Sequence, residues 1–224
     1  MPQHFSRGAD RRLRLVLVLG AVALVGAALL GFTLARSDRA WAVGRAAPQP
    51  IPFSHALHAG GLGLDCRFCH AGVERAADAG MPTASLCLGC HAEVWNGAAV
   101  LAPLQDSLAL GAPIEWASVH RLPDHARFHH GAHVAAGAAC ETCHGRVWEM
   151  PQTVKVRPMS MGWCLDCHRA PETQLRPVEA VFDRDWRGPY ADASGHRPGG
   201  AAALAARHFG VELSPLTQCS TCHR

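Results

Sequence analysis

The chain has 224 residues, enough for one domain or two small ones, with 10 Cys, 15 His, 22 Gly and 15 Pro but only 6% aromatics. So much Gly and Pro argues against an ordinary two-layer α/β enzyme, which needs long regular elements and a large side-chain core. The net charge of +3 comes wholly from Arg7, Arg11, Arg12 and Arg14 against Asp10. Residues 36 to 224 therefore sum to zero, and no basic face is left to hold nucleic acid.

Residues 1–14 are basic and precede an uncharged apolar run from Leu15 to Ala35. As a helix that run rises about 30 Å, enough to cross the hydrocarbon core of a bilayer. Arg36, Asp38 and Arg39 nearly balance behind it. The positive-inside rule then predicts a single-pass anchor in contact with lipid, its N-terminus in the cytoplasm and residues 36–224 outside. The alternative is a cleaved signal peptide with Ala40-Trp41-Ala42 as its small-residue site. The run exceeds the roughly 7–15 residues of a signal core, so an uncleaved anchor is expected. Residues 36–52 read as a linker.

All ten cysteines lie in five C-x-x-C-H motifs: I (Cys66, Cys69, His70), II (Cys87, Cys90, His91), III (Cys140, Cys143, His144), IV (Cys164, Cys167, His168) and V (Cys219, Cys222, His223). This is the attachment signature of c-type haem. Two thiols form thioethers to the vinyl groups, and the adjacent His is thereby placed under the iron. Disulfides or zinc knuckles also use paired cysteines. Neither requires a His after every second Cys, which by chance would happen five times in five about once in a million. Five covalently attached haem c groups are predicted. So little chain per haem cannot wall each one off, so the predicted fold is a haem-cored multihaem cytochrome c of short α-helices and loops, with little or no sheet, beside the N-terminal transmembrane helix.

The sequence repeats itself. Phe53-Ser54-His55-Ala56-Leu57-His58 returns as Phe128-His129-His130-Gly131-Ala132-His133, a shared F-x-H-x-x-H, each copy a few residues before a haem motif and each followed by a second motif. The predicted organisation is a first di-haem module over 53–112, a second over 113–170, and a tail over 171–224 carrying the fifth haem. Six-coordinate irons need five distal ligands. Histidines at i and i+3 share one side of a short helix, which nominates His55, His58, His130 and His133. His120, between the modules, is nominated next, and Met161 competes for one site; His/Met ligation raises the potential relative to bis-His. His129 falls out of the pattern, His125 follows a Pro-Asp turn and His4 precedes the span, so these three read as surface. His196 and His208 rank behind the nominated set.

At these residues the chain resembles the pentahaem cytochrome subunit of bacterial alternative complex III. The likeness lies in residues 53–83, in 113–134 with its W-x-x-V-H-x-L-P block, in Ser160-Met161-Gly162-Trp163-Cys164-Leu165-Asp166-Cys167-His168-Arg169 and in the closing motif. Between Pro171 and Gln218 the match is loose. The resemblance implies electron transfer from a quinol-oxidising membrane assembly to a soluble cytochrome c or a terminal oxidase. It also implies an iron–sulfur subunit resembling molybdopterin oxidoreductases, polytopic polysulfide-reductase-like quinol-binding subunits and a monohaem cytochrome c subunit as partners.

Three classes of function follow. A non-catalytic conduit within a quinol-oxidising complex accounts for every Cys and for the excess of His. A self-sufficient membrane-anchored quinol dehydrogenase feeding a periplasmic reductase fits the single span equally well, though Ala71-Gly72-Val73 after motif I lacks the Met some such proteins carry there. A multihaem reductase needs an open iron and substrate-handling groups, and no C-x-x-C-K or paired acids stand out.

Overall fold

The computed structural model describes residues 6, 8–171, 174–186 and 214–223. The chain divides into two compact units, Met1–Val43 and Gly44–Arg224.

The first unit is dominated by α1, Ala9–Ala35, none of whose side chains is buried. Its 27 residues rise about 40 Å, and it is long and apolar enough to cross a membrane. Leu, Val and Ala fill it with no proline, so nothing interrupts the backbone ladder. The helix begins earlier than the apolar run, taking Arg11, Arg12 and Arg14 into its first turns, where Arg14 meets Asp10 at 3.0 Å. At the far end Ser37 Oγ donates to the Leu34 carbonyl and Trp41 Nε1 to that of Ala35, occupying carbonyls the helix leaves open.

In the second unit the haem motifs set the elements. α2 (Cys66–Cys69), α6 (Cys140–His144) and α8 (Cys219–Cys222) each start at the first Cys of motifs I, III and V. α3 (Ala84–His91) and α7 (Met161–Arg169) instead run into motifs II and IV from one turn upstream. Their N-caps are equivalent: the Thr83 and Ser160 hydroxyls, each four residues before the first Cys, accept from the backbone N–H of Leu86 and Trp163. The remaining α- and π-helices among the described residues are α4 (Ala102–Leu110), α5 (His130–Ala135) and a π-helical turn over Ala56–Gly61. Single 3-10 turns include Val147–Glu149, Val178–Ala180 and Ser214–Thr217. Among the described residues there is no sheet, only the isolated bridges Ala46–Val154, Ala126–His223 and Ala138–Leu175.

The side-chain core is small. Ile51, Ala84 and Leu104 form one buried cluster, with Cys87, Leu88 and Trp116 packed against it. Val73, Val134 and Val181 form another, covered by Ala79 and Phe182. Of the expected linker, residues 44–52 belong to the second unit. Gly44 N–H donates to Lys155 O at 2.7 Å, and the Gln49 amide makes two hydrogen bonds with the backbone of Ala117. The described parts of the tail are also tied down. The buried Arg176 guanidinium pairs with the Glu141 carboxylate inside motif III and donates to the carbonyls of Ala180 and Asp183. The turn Ser214–Thr217 packs between α7 and α8.

Candidate functional site

The duplicated F-x-H-x-x-H segments adopt one geometry twice. In the first, Phe53 stacks on His58 at 4.4 Å and meets His55 edge-on at 4.9 Å. In the second, Phe128 stacks on His133 at 4.4 Å and meets His130 edge-on at 4.8 Å. Nδ1 of the second histidine donates four residues back in both copies, His58 to Ser54 O and His133 to His129 O, each at 2.9 Å. The aromatic ring and the carbonyl together fix the imidazole's direction.

Backbone carbonyls accept and never donate, so they also fix tautomers. His70 Nδ1 donates to Gly80 O at 2.7 Å, His91 to Val94 O at 3.0 Å, His168 to Leu216 O at 2.8 Å and His130 to Ala77 O at 2.8 Å. With His58 and His133 these make six rings whose proton sits on Nδ1, leaving the Nε2 lone pair for a metal. His129 is the opposite case: its Nδ1 accepts from the Ala132 N–H and caps α5. The neighbours His129 and His130 are thus separated by tautomer, one a helix cap and one offering Nε2.

The rings then meet in pairs. Centroid separations are 6.1 Å for His58 and His91, 6.0 Å for His133 and His168, 6.3 Å for His130 and His144, and 5.6 Å for His125 and His223. A metal about 2 Å from each of two opposed imidazole nitrogens puts the ring centroids about 6 Å apart. His55 lies by His70: burial, then the His70 and His58 imidazoles, lowers His55 to about 4. Its Nδ1 is within 2.9 Å of Thr153 Oγ1. Among the described residues no three His, Cys, Asp or Glu side chains converge as they would on a bare ion, and all ten cysteines are unbridged.

Two histidines have ring neighbours that sequence spacing does not encode. His120, nominated as an iron ligand, stands against the Nδ1 side of His144, its Nε2 3.4 Å from that atom and the rings at 87°. Burial, then the Lys155 charge and the His130 imidazole, lowers His120 to about 4. Burial and the neighbours His120, His130, His70 and His55 take His144 to about 3. His125, expected at the surface, is exposed there and also stacks on His223, held by Arg127 N–H donating to Cys222 O at 2.6 Å and by the Ala126–His223 bridge. No local signal marks this, because the partner lies at the other end of the domain sequence. Met161 opens α7 and is exposed. His4, His196 and His208 lie outside the described residues.

The motifs approach one another through their cysteines. Burial and then the Cys87 thiol raise Cys69, linking I with II. The Cys140 thiol lies by Cys66 and lowers it, which links I with III. Burial and then Cys167 and Cys164 push Cys143 up to about 12, linking III with IV. Burial and then Cys222 raise Cys164, linking IV with V.

No family model matches the chain. It is similar to a protein of Nitratidesulfovibrio vulgaris described as "Menaquinone reductase, multiheme cytochrome c subunit", with 33% identity over 97 residues. The match covers 43% of this chain and 45% of that relative, so the chain spans under half of the relative's length. Helices without sheet among the described residues, the apolar N-terminal helix, five C-x-x-C-H motifs and this likeness define a multihaem cytochrome c.

Proposed function

We propose that the chain is a membrane-anchored pentahaem c-type cytochrome that carries electrons within a quinone-linked respiratory complex. The observation that carries this is the set of opposed imidazole pairs about 6 Å apart, each containing one C-x-x-C-H histidine. Two imidazoles facing each other suit an iron whose other four ligands come from a macrocycle. Each haem c, when bound, supplies a one-electron ferric/ferrous couple.

The chain's own residues do the rest. The ten motif cysteines would hold the five haems and His70, His91, His144, His168 and His223 the proximal positions. The distal partners are His55 for motif I, His58 for II, His130 for III, His133 for IV and His125 for V. On this assignment each haem c would be held by two histidines, and Met161 would have no seat. The small side-chain core fits a domain filled mainly by prosthetic groups. The cysteine contacts support a single file of sites in the order II, I, III, IV, V, crossing between the modules at the step from I to III.

The finer reading is that of alternative complex III, with the heme unit outside the membrane. Its partners are an iron–sulfur subunit of the molybdopterin-oxidoreductase type, polytopic quinol-binding subunits of the polysulfide-reductase type and a monohaem cytochrome c, with a soluble cytochrome c or an oxidase as acceptor. The test is native-gel separation of mildly solubilised membranes, staining for covalent haem and identification of the polypeptides in the stained band. A large band with an iron–sulfur subunit and polytopic proteins is expected. A small band holding this chain alone, able to oxidise quinol, would move the chemistry onto this subunit. Whether added quinol reduces the haems, or the reduced haems pass electrons to quinone, sets the direction; the similar protein's name, "Menaquinone reductase", is of the second kind.

A further inference from the structure

Three of the motif histidines have Nδ1 anchored on a backbone carbonyl, His70 on Gly80, His91 on Val94 and His168 on Leu216. His144 is held differently: its Nδ1 faces Nε2 of His120 at 3.4 Å, edge to face, in a half-buried setting. If His144 offers Nε2 to a metal, its proton is on Nδ1 and His120 Nε2 is the acceptor. His120 itself then has no nitrogen lone pair left for iron.

We propose that His120 is a positioning residue that accepts the Nδ1 proton of His144 and thereby sets the donor strength of that one axial ligand. This rests on the pairing of His130 with His144 given above. A carbonyl anchor is fixed by the chain's path, and a side-chain change cannot remove it. The His144 anchor is a side chain, delivered from residue 120 by the stretch that leads into the second F-x-H-x-x-H copy, and it is removable. An acceptor on the far nitrogen raises the basicity of a ligating imidazole and favours the ferric state. Motif III stands in the middle of the cysteine-contact order, between I and IV, where the potential of one site affects passage in either direction.

The experiment is a redox titration of the haem-loaded full-length chain, followed by visible and EPR spectra, for wild type, His120→Phe and His120→Gln. His120→Phe keeps a ring in the space and removes the acceptor. It should shift one of the five midpoint potentials upward while all five haems stay low-spin. His120→Gln, whose amide oxygen accepts, should move that potential back toward wild type. Five low-spin haems with unchanged potentials in His120→Phe would overturn the proposal. One high-spin haem in His120→Phe would overturn it differently, showing His120 to be an axial ligand. His130→Ala separates the two levels. One high-spin haem there supports the pairing independently of His120, whereas five low-spin haems would remove the pairing and the proposal with it.

Discussion

Replacing His125 by Ala tests the ligand assignment at the point where sequence and geometry part company. His125 is exposed, and its only ring contact among the described residues, with His223, is at 5.6 Å. The backbone contacts of the same segment, Arg127 N–H to Cys222 O and the Ala126–His223 bridge, use no His125 side-chain atom and survive the change. Apart from the metal bond the substitution is therefore a surface one, worth within about 0.5 kcal/mol of folding stability. If His125 is the distal ligand at motif V, one iron in five loses its sixth ligand. About a fifth of the haem then becomes high-spin, and the reduced protein binds about one carbon monoxide per chain, where wild type binds none. EPR of the oxidised protein and carbon monoxide titration of the reduced one read both. His125→Ala with five low-spin haems refutes the assignment. So does a Met161→Leu variant that produces the high-spin signal instead.

Other outcomes follow from the packing and the charge. Leu104 is 2% exposed at the centre of its cluster, so Leu104→Ala should cost about 2–5 kcal/mol in a thermal or denaturant melt. A loss under about 1 kcal/mol would show that the site collapses or is packed by something else. Arg176→Met leaves Glu141 beside motif III without its partner and should cost about 3–5 kcal/mol, most of it recovered by adding Glu141→Leu; no recovery in the double variant would place the cost elsewhere. Residues 36–224 are formally neutral, so roughly two propionates per haem add on the order of ten negative charges. Stopped-flow reduction of a soluble cytochrome with a positive face should slow as salt rises, and a salt-independent rate would point to apolar docking or to exit through another subunit.

What the sequence revealed and what it hid divide along a physical line. C-x-x-C-H is legible because thioether attachment demands a fixed local spacing, and helices α2, α3, α6, α7 and α8 each begin at or lead into a motif. The F-x-H-x-x-H duplication was legible for the same reason, its phenylalanine–histidine geometry repeating to within about 0.1 Å in both copies. His120 and His125 were not separable, since their partners His144 and His223 are brought up by the fold and no spacing encodes them. The carbonyls of Gly80, Val94 and Leu216 that fix three tautomers carry no side-chain signature at all. Equally hidden was the docking of residues 44–52, which composition marks only as a Pro-containing connector.

The number of haems bound is the most direct test of the whole account, because the five motifs, the paired histidines and the small side-chain core all bear on it. The intact mass of the purified chain, paired with a haemochrome assay per mole of protein, measures it. Five covalent haem additions on ten thioether-linked cysteines is the expected result. A chain carrying zinc, or one whose mass shows cysteines joined as disulfides and no attached haem, would contradict it.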